Sequence, residues 1–487
     1  MQYIDLKMNN INNGEVLFLA FRSHKRTTTM PLEIIHLGGA GDLTGSCHYL
    51  QLNGIHILVD CGITQGLARR SNMRQWPVHP SEIDYLFITH AHIDHMGRIP
   101  ELVRNGFKGE ILTTHATKAF MIPMLENALI MGNHNQRDRK KMISHIDDIT
   151  WGFEFNESFQ LKKQISFKLG RAGHILGSCF VCLQTRKRSV AFSGDLGMSD
   201  TPILCQPDIS DPCELLCLES TYGNSEHDPP EERIQHLGKI ITHIIADQGK
   251  LYIPSFSLGR AQELLYEINR LLRDPVLGKQ FPDIAARSKI PVFLDTPMGA
   301  KIKGLFAKAS KYWLKEASIP DQCGKNPIDF NYLYAVENYH QHLKLMEMSG
   351  PAIIISGSAM CTGGRILSHL QSGLPDWRND ILFTTYQVPG TLGNEIIRFG
   401  TRSGGYVYID NNRVDIQANI HVISGYSCHA DQKNLIQWVN AIPHKPELIK
   451  LVHGDPDAQS GLITKLTQQG YCVESSVQKN DLDNYNN

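Results

Sequence analysis

A mixed, layered α/β fold in more than one domain follows from three features of the sequence. Short strand-like runs closed by glycine or an acidic residue fill its early part, strands alternate with helices later on, and 487 residues exceed one ordinary core. The runs Glu33-Ile34-Ile35-His36, Ser46 to Leu52 and Ile55 to Asp60 end in tight-turn residues and read as sheet. Between residues 116 and 146, Met121, Met124, Leu125 and Ala128 recur at three- and four-residue spacing, which is a helical period. The charged Arg137-Asp138-Arg139-Lys140-Lys141 that follows reads as a solvated helix face. Sheet resumes at Ser166 to Leu169, Cys179 to Leu183 and Ser189 to Ser193. Beyond Gly223 the pattern changes to a helix over Pro230 to Ile245 and buried-looking strands at Lys250 to Pro254, Pro291 to Asp295 and Pro351 to Ser356. That alternation predicts a parallel sheet with crossover helices, whose ligand-binding loops lie at the carboxyl ends of the strands.

Composition narrows the possibilities. No segment offers the roughly eighteen uninterrupted apolar residues of a membrane span. Forty-eight basic residues against forty-nine acidic leave a net charge of -1, so a polyanion would need a local patch. The eleven cysteines are scattered, and the close pair Cys179 and Cys182 lacks a second pair at zinc-ribbon spacing; free thiols in a reducing cytoplasm are expected. The run Val16 to Phe21 is shorter than a typical signal-peptide core and no small-residue cleavage site follows. Residues 1–30 therefore read as an N-terminal extension, either a loose leader or a misplaced start before Met30.

The densest chemistry is His90-Ala91-His92-Ile93-Asp94-His95, which follows the apolar run Ile83 to Ile88 and precedes Gly97. Alternation at a strand end points His90 and His92 the same way, while Asp94 and His95 fall in the turn beyond. Two imidazoles can then hold one ion, and Asp94 with His95 a second. Neutral imidazole suits zinc, and a carboxylate suits a site that keeps a position open for water. Further ligands are sought at strand ends beside glycine, where His174, Asp195 and His453 are found. His174 could complete a shell with His90 and His92, Asp195 could bridge both ions, and His453 could join Asp94 and His95. Each of the three could equally be a capped turn when taken alone. Asp60, in Val59-Asp60-Cys61-Gly62, reads as a carboxylate steadying a ligand imidazole, with turn capping a close rival. His429, in Ser427-Cys428-His429-Ala430, has the titration range of an acid for a departing oxygen, and Glu219 ends an apolar run. An ordinary loop histidine fits His429 equally well. Thr362-Gly363-Gly364-Arg365, after Ser356-Gly357-Ser358, could cradle a phosphate through backbone N–H groups and the guanidinium.

Taken together, Asp60, the His90 to His95 motif, His174 and Asp195 resemble the metallo-β-lactamase fold. Glu219, His429 and His453 resemble, in order and context, the motifs of the β-CASP nucleases within it. Ser257-Leu258-Gly259-Arg260-Ala261-Gln262-Glu263-Leu264 and Gly363-Gly364-Arg365 are similar to the bacterial members, a group related to RNase J and to the eukaryotic pre-mRNA 3′-end cleavage endonuclease.

The resemblance implies an αββα sandwich built from residues 31–221 and 425–487, with a β-CASP domain inserted at 222–424. That domain would contain a mainly parallel sheet flanked by helices. It implies hydrolysis of RNA, single-stranded and held between the domains, endonucleolytic and also 5′-to-3′ exonucleolytic. It implies two zinc ions per chain. His90, His92, His174 and Asp195 would hold one, and Asp94, His95, Asp195 and His453 the other. His429, steadied by Glu219, would protonate the leaving ribose oxygen, and Asp94 and Asp60 would belong to the catalytic set. Ser356, Ser358, Gly363, Gly364 and Arg365 would bind substrate phosphate. Ser368 departs from the bacterial pattern, which has a histidine there. No further RNA-binding domain is read before residue 31 or after His453, so RNA contact is expected from the two domains or from a homodimer partner. The competing readings are a DNA-directed nuclease of the same family, a non-catalytic RNA-processing scaffold and a small-molecule metallo-hydrolase. Complete ligands argue against the scaffold, and the long insertion argues against the small-molecule enzyme.

Overall fold

Three sheets and the helices on their faces account for the architecture. The structure, a computed structural model, describes residues 32–64, 75–132, 134–286, 289–314 and 328–476. The N-terminal extension read from the sequence lies outside them. The first sheet runs in chain order through β1 (Ile34–Gly38), β2 (Cys47–Leu52), β3 (Ile55–Val59), β4 (Tyr85–Phe87), β5 (Glu110–Thr114) and β6 (Thr150–Phe153). Its first three strands pair antiparallel and the last four parallel. The second sheet contains β7 (Ser158–Gln160), β8 (Ser166–Arg171), β9 (Cys179–Gln184), β10 (Ser189–Phe192) and β11 (Leu215–Glu219).

The chain then builds a third sheet from β12 (Lys250–Pro254), β13 (Val292–Asp295), β14 (Leu333–Ala335), β15 (Ala352–Ser356) and β16 (Asp380–Phe383). A separate hairpin, β17 (Tyr406–Ile409) and β18 (Asn412–Asp415), precedes β19 (Asn419–Val422), which joins the third sheet. All of the third sheet's pairings are parallel, in the order β14-β13-β15-β12-β16-β19. Finally β20 (Leu448–Val452) and β21 (Val473–Ser475) return to the second sheet, β20 lying parallel to β11.

The two mixed sheets face each other, as Phe87 of β4 against Phe167 of β8 shows at 5.1 Å between ring centres. Helices cover the outer faces. Phe120, Met121 and Leu125 of the helix His115–Met131 pack with Ile111, and Leu435, Trp438 and Leu462 of the two last helices pack with Leu216 and Leu451. This is the expected αββα sandwich, and the parallel third sheet with its helices is the expected insertion.

Central strands follow from their sequences. Ile353, Ile354 and Ile355 of β15 are buried on both faces, as the continuous apolar run of a covered parallel strand requires. One boundary differs from the expectation. The helical text from 116 to 146 is two helices, His115–Met131 and Gln136–Asp148; Gly132 ends the first, and Asn135 caps the second by accepting from the Asp138 N–H at 2.9 Å. The cysteines at described positions are free. Among the described residues no helix is long and apolar enough to cross a membrane.

Candidate metal centre and active site

Every candidate ligand sits just beyond a strand end or in a tight turn. After β4 the chain passes through Thr89, His90 and Ala91 to His92, which is extended at φ -80° and ψ 150°, and Ile93–Met96 makes one helical turn carrying Asp94 and His95. That turn is fixed from below by the Cys61 N–H on the His95 carbonyl at 2.7 Å and the Arg98 N–H on the Cys61 carbonyl at 2.8 Å. Gly62 lies so close that a Cβ there would stand 1.5 Å from the Asp94 carbonyl oxygen, which explains the glycine. His174 lies between β8 and β9, where the Ser178 hydroxyl accepts from the N–H groups of His174 and Ile175 at 3.0 and 3.1 Å. Asp195 follows β10 through Gly194, at φ +53°. His453 follows β20 at φ +51° and Asp60 follows β3 at φ +61°, both in the left-handed region that few side chains adopt.

The structure brings these residues into one buried cluster. His90, His92 and His174 form one group and Asp94, His95 and His453 another. Asp195 lies between them. Its Oδ2 is 3.6 Å from His90 Nε2, 3.6 Å from His174 Nε2 and 3.3 Å from His95 Nε2. Its Oδ1 is 3.7 Å from His453 Nδ1. His92 Nδ1 and His174 Nε2 are 3.2 Å apart, and His95 Nε2 and His453 Nε2 are 3.3 Å apart. Asp94 Oδ2 is 3.7 Å from His453 Nε2. Donors about 2.1 Å from a shared tetrahedral ion would be roughly 3.4 Å apart, so these separations fit a metal. His90 Nε2 and Asp195 Oδ1 are buried without a hydrogen-bond partner, although such atoms normally have one. The all-N/O donor set, imidazole with carboxylate, is chemistry that zinc accepts.

Asp60 supports this cluster from outside. Its Oδ2 stands 2.7 Å from His95 Nδ1 and accepts from Thr89 Oγ1 at 2.9 Å, while Oδ1 accepts the Thr89 N–H at 2.8 Å. On the other side, His429 Nδ1 is 3.2 Å from Glu219 Oε2, and His429 Nε2 is 3.9 Å from Asp195 Oδ2. Glu219, fully buried at the end of β11, is held by the Leu196 N–H at 2.6 Å. His429 keeps 19% of its side chain exposed, unlike most of the candidate ligands.

Charge balance follows from burial and neighbours. Burial pushes the pKa values of His90 and His174 well down and that of His92 down, keeping these rings neutral as ligation requires. Burial also opposes the charged form of His95, but the Asp195 and Asp60 carboxylates outweigh it and raise its pKa well above the ordinary value. For Asp195, burial is outweighed by the surrounding imidazoles, His453 and His95 foremost, and its carboxyl is held well below the usual range. For His429, burial is outweighed by Glu219 and then Asp195, which raise it.

The inserted domain reaches the cluster directly. Phe256 stacks on His92 at 5.1 Å, and His92 Nε2 lies 3.3 Å from the Leu258 carbonyl. Gly259, at φ +90°, lets that loop settle, since a Cβ there would meet Ile175 Cγ2 at 2.5 Å. These contacts escaped the sequence reading, as did Thr89 and Thr221, whose Oγ1 lies 3.0 Å from His453 Nδ1. Thr221 sits two residues after Glu219, and that proximity was its one signal in the sequence.

The predicted phosphate loop lies beside the Phe256 segment of the inserted domain, Met360 packing with Phe256 and the Ser255 N–H donating to the Ser356 carbonyl, and it makes several hydrogen bonds within itself. Ser358 N–H donates to Gly363, Thr362 N–H to Ser358 Oγ, and Ile366 N–H to Gly357. Ser356 Oγ donates to the Asp295 carbonyl at 2.8 Å. Gly364, at φ +79°, packs against Gly357. Arg365 Nη1 donates to Asp295 Oδ1 at 2.7 Å and to the Val336 carbonyl at 2.8 Å. His342 Nδ1 and His369 Nε2 both lie 2.6 Å from Asp295 Oδ2. Ser368, beside His369, is exposed. The sequence had marked Asp295 only as a strand end.

Comparison with known proteins agrees with this geometry. Residues 40–224 match the metallo-beta-lactamase superfamily, 261–396 the Beta-Casp domain, and 413–477 the Zn-dependent metallo-hydrolase RNA specificity domain. Ribonuclease TTHA0252 of Thermus thermophilus is 33% identical over 445 residues, 91% of this chain and 97% of that protein. Transcription termination factor FttA of Pyrococcus horikoshii is 29% identical over 457 residues, 89% of this chain and 68% of the relative. The same factor of Methanocaldococcus jannaschii is 28% identical over 87% of this chain and 67% of its own length. With the sandwich, the inserted parallel sheet and the His/Asp cluster in place, this chain belongs to the β-CASP family of metal-dependent nucleases within the metallo-β-lactamase superfamily.

Proposed function

We propose that the chain is a zinc-dependent ribonuclease that hydrolyses phosphodiester bonds in single-stranded RNA, cutting internally and also digesting from the 5′ end. The carrying observation is the His429–Glu219 pair set against Asp195 at the rim of the His/Asp cluster. A metal site alone serves many hydrolases; a histidine held by a buried carboxylate beside it supplies the acid that a poor leaving group needs. His90, His92, His174 and Asp195 would hold one zinc ion, and Asp94, His95, Asp195 and His453 a second. When bound, such ions neutralise charge on the phosphodiester and activate water. Glu219 accepts a hydrogen bond from His429 Nδ1–H and so aims Nε2 at the substrate side. From Nε2 His429 gives its proton to the ribose oxygen as the bond from phosphorus breaks. Asp60 holds His95 through Nδ1, leaving Nε2 to the cluster.

RNA rather than DNA is supported by the RNA specificity domain match and by the ribonuclease relative. A cytoplasmic location is supported by the free cysteines, and a homodimer belongs to the proposal through family resemblance alone. The test is metal analysis of the purified chain combined with cleavage of matched labelled RNA and DNA. The expected result is two zinc ions per chain and RNA cut in preference to DNA. Cleavage should be lost in His92→Ala. RNA cleavage that survives that substitution, or a DNA preference, would overturn the reading.

A further inference from the structure

The hairpin of β17 and β18 turns an unusual face to solvent. Tyr406 and Tyr408 alternate with buried Val407 and Ile409, so both rings point outward, 41% and 61% exposed. Cross-strand pairing sets Arg413 opposite Tyr408 and Asp415 opposite Tyr406. The two rings meet edge to face at 5.7 Å, and the Arg413 guanidinium lies 4.1 Å from the Tyr406 ring centre. Beside the hairpin, exposed Arg398 and Arg402 lie against Phe399 at 5.4 and 5.2 Å, and Gly405 at the root of β17 donates to the Arg402 carbonyl. Neither Arg398 nor Arg402 forms an ion pair with a described residue. The pair Arg413 to Asp415 is exposed on both sides, so it holds little energy and exchanges readily.

We propose that this face is a second contact for unpaired RNA, with bases stacking on Tyr406 and Tyr408 and phosphates meeting Arg398, Arg402 and Arg413. The proposal rests on the ribonuclease reading and extends it to a surface apart from the cleft. Outward aromatic rings interleaved with guanidinium groups are what single strands use, because every base has a stacking face and every linkage a charge. A second copy of this chain is the competing occupant, and sedimentation distinguishes it from RNA. The fold separates this surface from the cluster. Gln417 and Ala418, just past the hairpin, donate to the Leu374 carbonyl ahead of β16, whereas His429 follows the carboxyl end of β19. Long RNA therefore gains from the hairpin, and a dinucleotide does not.

The test compares the full chain with Tyr406→Ala/Tyr408→Ala, and with Tyr406→Phe/Tyr408→Phe as the conservative control. Labelled oligouridylate binding and KM, dinucleotide hydrolysis and sedimentation are measured for each. Loss of the rings should weaken oligouridylate binding about tenfold or more and raise KM by a similar factor. The phenylalanine variant should keep both values, and dinucleotide turnover should stay the same in all three. Arg402→Ala should weaken binding further and flatten its salt dependence. Unchanged oligouridylate binding in the alanine variant, with RNA still cut, would overturn the hairpin proposal while leaving the ribonuclease reading intact. A change confined to sedimentation would assign the face to a second copy and overturn it as well. A parent chain that neither binds nor cuts RNA would overturn both.

Discussion

Two buried carboxylates in this molecule gather histidines in outwardly similar ways, and the spacing of their neighbours separates their roles. Around Asp195 the imidazole nitrogens of the candidate ligands stand 3.3 to 3.7 Å from the carboxylate oxygens, and His90 Nε2 and Asp195 Oδ1 are buried with no hydrogen-bond partner. Around Asp295 two imidazoles approach to 2.6 Å and a guanidinium to 2.7 Å. The first spacing suits donors sharing a cation. The second is a hydrogen-bond node satisfied by protein alone, and it ties β13, the helix Tyr339–Glu347 and the glycine loop after β15 into one unit. A count of histidines near an aspartate does not distinguish the two; the distances do.

The strongest attempt to break this contrast is His92→Ala, which should abolish bound metal and RNA cleavage together, as read by metal analysis and a gel assay. His429→Ala should slow cleavage by roughly a hundredfold to ten-thousandfold, the range of a lost general acid, with metal content unchanged. Metal loss in that variant would move His429 into the ligand set. Asp60→Asn should lower metal affinity or activity by about 10- to 100-fold, because His95 would lose the partner that orients it. Asp295→Ala should leave the metal bound and instead cost about 3–5 kcal/mol in chemical denaturation, since it strips a buried charge from its partners.

Acid sharpens the same distinction. Burial opposes the Asp295 carboxylate, but His369 and Arg365 outweigh it and hold its pKa below the ordinary 3.8. A depressed carboxyl contributes stability that is present above its unfolded pKa and lost as pH falls through the native one. The stability gap between the parent chain and Asp295→Ala should therefore be full near neutrality and narrow as pH drops below about 4. A gap that widened in acid would contradict the node.

Much of this was legible in the sequence because strand ends beside glycine are short, local signals. The His90 to His95 motif, His174, Asp195 and His453 each announce themselves by residue type and setting, and the alternation of apolar runs exposed the parallel insertion. Less legible were contacts made by backbone or across domains. The Leu258 carbonyl on His92 and the Phe256 ring stacked over it depend on how the inserted domain docks, which no local pattern records. Arg365 shows the same gap from the other side. Its glycine-rich setting reads as a phosphate cradle, and the bond from its Nη1 to Asp295, a residue seventy positions earlier, is a further contact that no local pattern records.

The central claim is that Asp195, and not Asp295, is the heart of a metal centre. Metal content per chain, measured for the parent, Asp195→Ala and Asp295→Ala purified side by side, tests it most directly. The account predicts two zinc ions in the parent, loss of metal in Asp195→Ala and the parental content in Asp295→Ala. Full metal content in Asp195→Ala, or metal lost from folded Asp295→Ala, would contradict it.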